Sequence, residues 1–221
     1  MRDLSTAMQD YLKGIYQLQH HGTVGTNDLA RHLDVSAASV TSMIRKLHEL
    51  HLVKHEAYRG VELTPAGRKV ALELIRHHRL IETYLAEALG YAWHEVHDEA
   101  EKLEHHISEE FEDRIASILG NPQYDPHGDP IPSKDGRVPP VSTTRLLDVP
   151  QGSTVRIRRV SDHDAAMLQA LTKNGIALGS ELEITKTDAA GNLRLRVDGA
   201  RTCNVASTLA AHIFVDYCDE Q

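Results

Sequence analysis

Two stretches of this 221-residue chain hold side chains able to do chemistry together. Residues 92–118 read AWHEVHDEAEKLEHHISEEFEDRIASI, without Gly or Pro, and Val96, Ala100, Leu103, Ile107, Phe111 and Ile115 recur every three or four positions. That period predicts one amphipathic helix with a single buried stripe. His97, Glu101, Glu104 and His105 stand beside the stripe at i, i+4, i+7 and i+8, within about 100° of one another at roughly 100° per residue. Aligned carboxylates repel each other, and a divalent cation would turn that repulsion into coordination. The preceding helical stretch repeats the theme, with His78 and Glu82 one turn apart ahead of Tyr84 and Leu85. Surface Glu and His on an acidic helix are the plain alternative; two neighbouring helices offering the same pair favour a metal. Neither H-E-x-x-H nor the di-iron Glu-x-x-His pattern occurs, and no nucleophile or oxyanion motif accompanies the ligands, so the reading is not an enzyme.

The elements that must position these groups fall into three pieces, 1–72, 73–140 and 141–221. The first predicts a helix from near Ser5 with Met8, Tyr11, Leu12, Ile15 and Leu18 inward, and Asp10 and Lys13 off the stripe. A short helix capped around Thr26-Asn27-Asp28, an Asp34-Val35 turn and a second helix capped by Ser36 follow, the last burying Val40, Ile44, Leu47 and Leu50. Leu52-Val53-Lys54 and Val61-Glu62-Leu63 read as strands around Ala57-Tyr58-Arg59-Gly60, and Thr64-Pro65 opens a long helix to about Leu89. This is a winged helix-turn-helix. Its outward residues Ser36, Ala37, Ala38, Ser39, Thr41, Ser42, Arg45 and Lys46, with Arg59 on the wing, suit a major groove and its phosphates.

Six of the eight prolines lie in residues 121–140, predicting an irregular crossing. From Thr143 the period shortens: strands are expected at 155–157, 182–184, 193–197 and 213–215, a hairpin at Asp198-Gly199, and a helix capped by Asp162 or Asp164. The fold class is therefore mainly α with a small β domain, the latter SH3-like.

Charge separates the same pieces. The net charge of −8 divides into +2 over residues 1–72 and −10 over the remainder, as suits a DNA reader joined to a cation sensor. Cys203 and Cys218 form no C-x-x-C, and no signal peptide or apolar span is evident, so a soluble, cytoplasmic protein is expected. The competing readings are a winged-helix regulator of an organic ligand, disfavoured by an aromatic content of 5%, and a metal-dependent hydrolase.

These residues resemble the metal-dependent transcriptional repressors of the diphtheria toxin repressor and manganese transport regulator type. The resemblance is carried along essentially the whole chain by Asp10-Tyr11-Leu12 with Ile15-Tyr16, Ser36 to Val40, Arg59-Gly60, Leu63-Thr64-Pro65 with Gly67, and His78-Arg79-Leu80. It continues through Val96-His97-Asp98-Glu99-Ala100-Glu101, Glu104-His105, the loop Asp125-Pro126-His127-Gly128-Asp129-Pro130-Ile131-Pro132, and Gly179-Ser180-Glu181. It implies a homodimer on operator DNA, repressing metal-uptake genes, with an SH3-like (FeoA-type) C-terminal domain and two metal sites per subunit. The primary site would comprise Asp10, Glu101, Glu104 and His105. The ancillary site would comprise His78, Glu82, His97 and a C-terminal carboxylate, Asp164 by counting back from Gly179, with Asp162 and His163 as alternatives; the family's other C-terminal ligand position falls on Met167. Iron-responsive members carry Met and Cys where this chain has Asp10 and Glu101. That harder donor set points to Mn2+, with Fe2+ the second choice. Lys13 replaces a Glu of the two-manganese subgroup, so two well-separated sites are expected.

Overall fold

The computed structural model describes residues 4–19, 22–56, 59–161 and 164–218. Among these, no helix is long and apolar enough to cross a membrane. The chain forms two compact units. The first takes in residues 1–78, 104–107 and 132–137, and the second takes in 79–103, 108–131 and 138–221.

In the first unit, α1 (Thr6–Leu18) is capped by Ser5, whose hydroxyl accepts from the Met8 amide. Tyr11, Leu12 and Ile15 bury against Leu29 of α2 (Thr26–His32) and Val40, Ile44 and Leu47 of α3 (Ala37–Glu49). Asp34, in the left-handed region at φ +51°, turns the chain between α2 and α3. Gly25, rather than the Thr26-Asn27-Asp28 stretch, is the α2 N-cap, whereas Ser36 caps α3 by accepting from the Ser39 amide at 3.1 Å. The wing strands β1 (Val53–Glu56) and β2 (Gly60–Leu63) pair antiparallel from Val53–Leu63 to Glu56–Gly60. Ala57 and Tyr58 lie outside the described residues. Thr64 accepts from the Gly67 amide at 3.1 Å and starts α4 (Pro65–Leu89) with Pro65 at the first helical position.

The single helix expected over 92–118 is two. Helix α5 runs Val96–Leu103 and α6 runs Glu109–Ile118. Ser108 begins α6 by accepting from the Phe111 amide at 3.2 Å. The apolar period persists through the break, yet Leu103 and Phe111, expected inside, are 39% and 45% exposed. The interruption also undoes the shared face. His97 and Glu101 stay on α5 in the second unit, whereas Glu104 and His105 fall in the connecting segment of the first.

The second unit's helical core packs Leu80 of α4 with Ile115, Ala116 and Ile131. Its other core lies within a five-stranded antiparallel sheet of order β6-β5-β4-β3-β7. The strands are β3 (Thr154–Val160), β4 (Glu181–Thr187), β5 (Leu193–Val197), β6 (Arg201–Val205) and β7 (Ile213–Tyr217). Alternation along β5 buries Leu193, Leu195 and Val197. Asp198 (φ +48°) and Gly199 (φ +72°) make the anticipated hairpin into β6, a strand the sequence pattern had not marked. Helix α7 (Ala165–Lys173) is capped by Asp164; Asp162 and His163 lie outside the described residues. The short α8 (Ser207–Ala210) precedes β7.

Candidate metal centres and nucleic-acid interface

In the first unit, α1 presents Asp10 and, three residues on, Lys13. The segment following α5 presents Glu104 and His105, with the Glu104 carbonyl 3.2 Å from His77 Nδ1. One donor atom from each of Asp10, Glu104 and His105 lies within 4.8 Å of the others. His105 Nδ1 donates to Gln9 Oε1 at 2.7 Å, and its Nε2 lies 2.9 Å from Asp10 Oδ1 and 3.4 Å from Glu104 Oε1. One imidazole nitrogen thus faces two carboxylate oxygens. A divalent cation makes all three contacts attractive, so the donor set fits a metal.

Glu104 is fully buried and meets two further groups. Lys13 Nζ donates to both carboxylate oxygens at 2.9 Å. His78 Nδ1 meets Oε2 and stands 3.4 Å from the same ammonium. Lys13, expected off the apolar stripe of α1, is only 8% exposed.

A second cluster lies in the other unit. Glu82 on α4 and Asp125 and His127 on the following loop bring donors within 4.8 Å, and all three residues are buried. His127 Nε2 donates to the Trp93 carbonyl at 2.7 Å. Its Nδ1 has no hydrogen-bond partner among the described residues and lies 3.9 Å from Glu82 Oε2. A buried ring nitrogen fixed by a carbonyl on its far side is the geometry of a metal ligand.

Asp125 Oδ1 accepts from the amides of His127 and Asp129 at 2.8 and 2.9 Å, and Arg79 Nε stands 3.5 Å from its other oxygen. Gly128 fixes the loop: at φ +86°, a Cβ would sit 2.0 Å from the Arg158 carbonyl oxygen. His97 Nδ1 reaches Glu82 Oε1 at 3.2 Å and Nε2 stands 4.0 Å from Glu101. His97 and Glu82 thus lie in contact, and His78 Nδ1 meets Glu104.

The structure adds Asp125 and His127 to the candidates. Both stood in the loop that carried the resemblance, where an acidic–His pair followed by glycine was the available signal. Asp164 caps α7 with one carboxylate oxygen, accepting from the amides of Ala166 (2.8 Å) and Met167 (3.3 Å). It lines a cavity of about 300 Å³ with Ser161, Met167, Thr208, Leu209 and His212.

On the reader, Ser36, Ala37, Ala38, Ser39, Ser42, Arg45 and Lys46 are exposed along α3. Thr41 is half-buried and donates its hydroxyl to the Ala37 carbonyl at 2.9 Å. Arg59 projects from the wing, paired with Glu56 at 3.0 Å and 78% exposed in its side chain.

Three family models tile the chain. They describe the iron-dependent repressor N-terminal DNA-binding domain over residues 3–61, the iron-dependent repressor metal-binding and dimerisation domain over 64–133, and the FeoA domain over 144–217. The diphtheria toxin repressor of Corynebacterium glutamicum is 34% identical over 195 residues, spanning 83% of this chain and 86% of its own length. The chain belongs to the diphtheria toxin repressor family, which includes the manganese regulators. Among solved members of that family, a manganese-dependent transcriptional repressor in complex with manganese is 42% identical, with a TM-score of 0.88 over 96% of this chain and all of the other. The repressor ScaR with bound Zn2+ is 32% identical, with a TM-score of 0.78 over 95% of this chain and 98% of that one. Members of this family are metal-dependent transcriptional repressors, with an N-terminal DNA reader followed by a metal-binding dimerisation domain.

Proposed function

We propose that this member of the family is a Mn2+-activated repressor that binds operator DNA as a homodimer, in the cytoplasm, and controls genes of metal uptake. The observation that carries the reading is His105. Gln9 locks its Nδ1, and its Nε2 faces the carboxylates of Asp10 and Glu104, one from the reader's first helix and two donors from a segment about a hundred residues later. The resemblance adds Glu101, on α5, as the fourth ligand of this primary site. Glu82, Asp125 and His127 form the second site, a refinement of the ancillary set His78, Glu82, His97 and Asp164.

A divalent ion supplies charge neutralisation at each cluster when bound. The protein's own work at the first is to tie α1 to the segment at 104–107, which holds the reader in the arrangement that grips DNA. The ion favours that arrangement only by its differential affinity for it. Neither cluster contains sulfur, and carboxylate and imidazole suit Mn2+ while also accepting Fe2+, so metal supply contributes to the choice.

Ser36, Ala37, Ala38, Ser39, Thr41, Ser42, Arg45 and Lys46 form the groove-facing surface, and Arg59 reaches a phosphate. Leu103, Phe111 and Ile118, all exposed on α5 and α6, suit the twofold contact that symmetric operators require. A titration of operator affinity against Mn2+, Fe2+ and Zn2+ at fixed salt tests the reading. Metal-dependent tightening supports it, and full operator binding in chelator contradicts it.

A further inference from the structure

We propose that Lys13 is a resident competitor for the primary site: its ammonium holds Glu104 in the metal-free protein and so sets the free Mn2+ concentration at which the site fills. This rests on the reading of Asp10, Glu104 and His105 as metal ligands.

Lys13 follows Asp10 by three residues on α1, which places both groups on one side of the helix. Its Nζ lies 2.9 Å from Oε1 and 2.9 Å from Oε2, so a single ammonium spans the whole carboxylate. Glu104 is 0% exposed and Lys13 only 8%. A buried carboxylate requires a cationic or hydrogen-bonding partner, and removing one leaves an uncompensated charge. Lys13 therefore stabilises the apo site, where Asp10 and Glu104 would otherwise place two negative charges beside His105.

The same contact opposes metal. A divalent ion that takes a Glu104 oxygen must draw it from Lys13 and then share its surroundings with a like charge. At a few ångströms, even under water-like screening, repulsion between a single and a double positive charge weakens binding on the order of ten- to thirty-fold. The ammonium thus raises the filling threshold. A merely structural lysine gives the opposite sign, because its loss would disorder Glu104 and weaken metal binding.

The test is an isothermal and electron-spin-resonance titration of Mn2+ into the full chain for the native protein, Lys13→Gln, Lys13→Met, Lys13→Arg and His105→Ala. The native protein is expected to hold two ions and His105→Ala one, which identifies the primary site. In Lys13→Gln and in Lys13→Met, which keeps much of the aliphatic stem, the ion lost in His105→Ala should bind about ten-fold tighter, while the metal-free protein melts at a lower temperature. Lys13→Arg should remain close to native. Unchanged or weaker Mn2+ binding at that site in both Gln and Met variants overturns the inference. Retention of both ions by His105→Ala overturns instead the assignment on which it rests.

Discussion

The two histidine–carboxylate clusters use similar donors in opposite surroundings. The one in the first unit is partly open, with the Asp10 side chain 39% exposed, and it contains its own counter-ion in Lys13. The one in the second unit is closed, with Glu82, Asp125 and His127 all buried. There His127 Nδ1 has no hydrogen-bond partner among the described residues. On the proposed reading, an ammonium already in place and access to solvent suit a site that exchanges its ion in response to supply. On the proposed reading, the closed cluster around His127 holds its ion and stabilises the loop, with Arg79 as the cation beside Asp125. The comparison shows two clusters of similar ligand identity, each beside a cation, Lys13 in one and Arg79 in the other, that differ chiefly in burial.

The largest effect should come from His105→Ala. It removes the Nε2 donor that meets both carboxylates, and operator affinity at saturating Mn2+ should fall at least 100-fold by band shift. His127→Ala should lose the other ion and lower the melting temperature, yet reduce operator affinity by less than ten-fold; equal losses in the two variants would erase the proposed division of labour. Gly128→Ala combines a strained positive φ with a clash against the Arg158 carbonyl and should cost about 2–4 kcal/mol in chemical denaturation. Its Mn2+ loss should be confined to the second site. The smallest effect belongs to Arg59→Ala, on the wing. It should weaken every duplex by a similar few-fold factor and reduce the salt slope of binding by about one, read by titration at several salt concentrations.

Much of the reader was legible because its signals are local. Ser36 caps α3, Thr64-Pro65 starts α4, and Tyr11, Leu12 and Ile15 share one helical stripe, each decided within a few residues. The site was legible only in part. The break at 104–107 is hidden by an apolar period that runs straight through it, and Ser108 was read as helix interior although its hydroxyl starts a new helix. Burial of Lys13 could not be read from α1 alone, since its partner Glu104 is 91 residues away. Asp125 and His127 depend on a loop whose shape follows from Gly128 meeting β3, a contact between distant segments. Asp164, read as a ligand, also caps α7 through its Oδ1, a role that the residues after it make visible in the sequence.

The central claim is that a cation between Asp10, Glu104 and His105 decides when the reader grips DNA. Its most direct test is enrichment of a random-sequence duplex library by the native protein and by His105→Ala, each with Mn2+ and with chelator, followed by affinity measurement on the selected duplex. The account predicts a selected palindromic site bound by the native protein only with Mn2+, and no comparable binding by His105→Ala at any Mn2+ concentration. Native-strength, Mn2+-dependent binding by His105→Ala, or equally tight binding by the native protein in chelator, would contradict it.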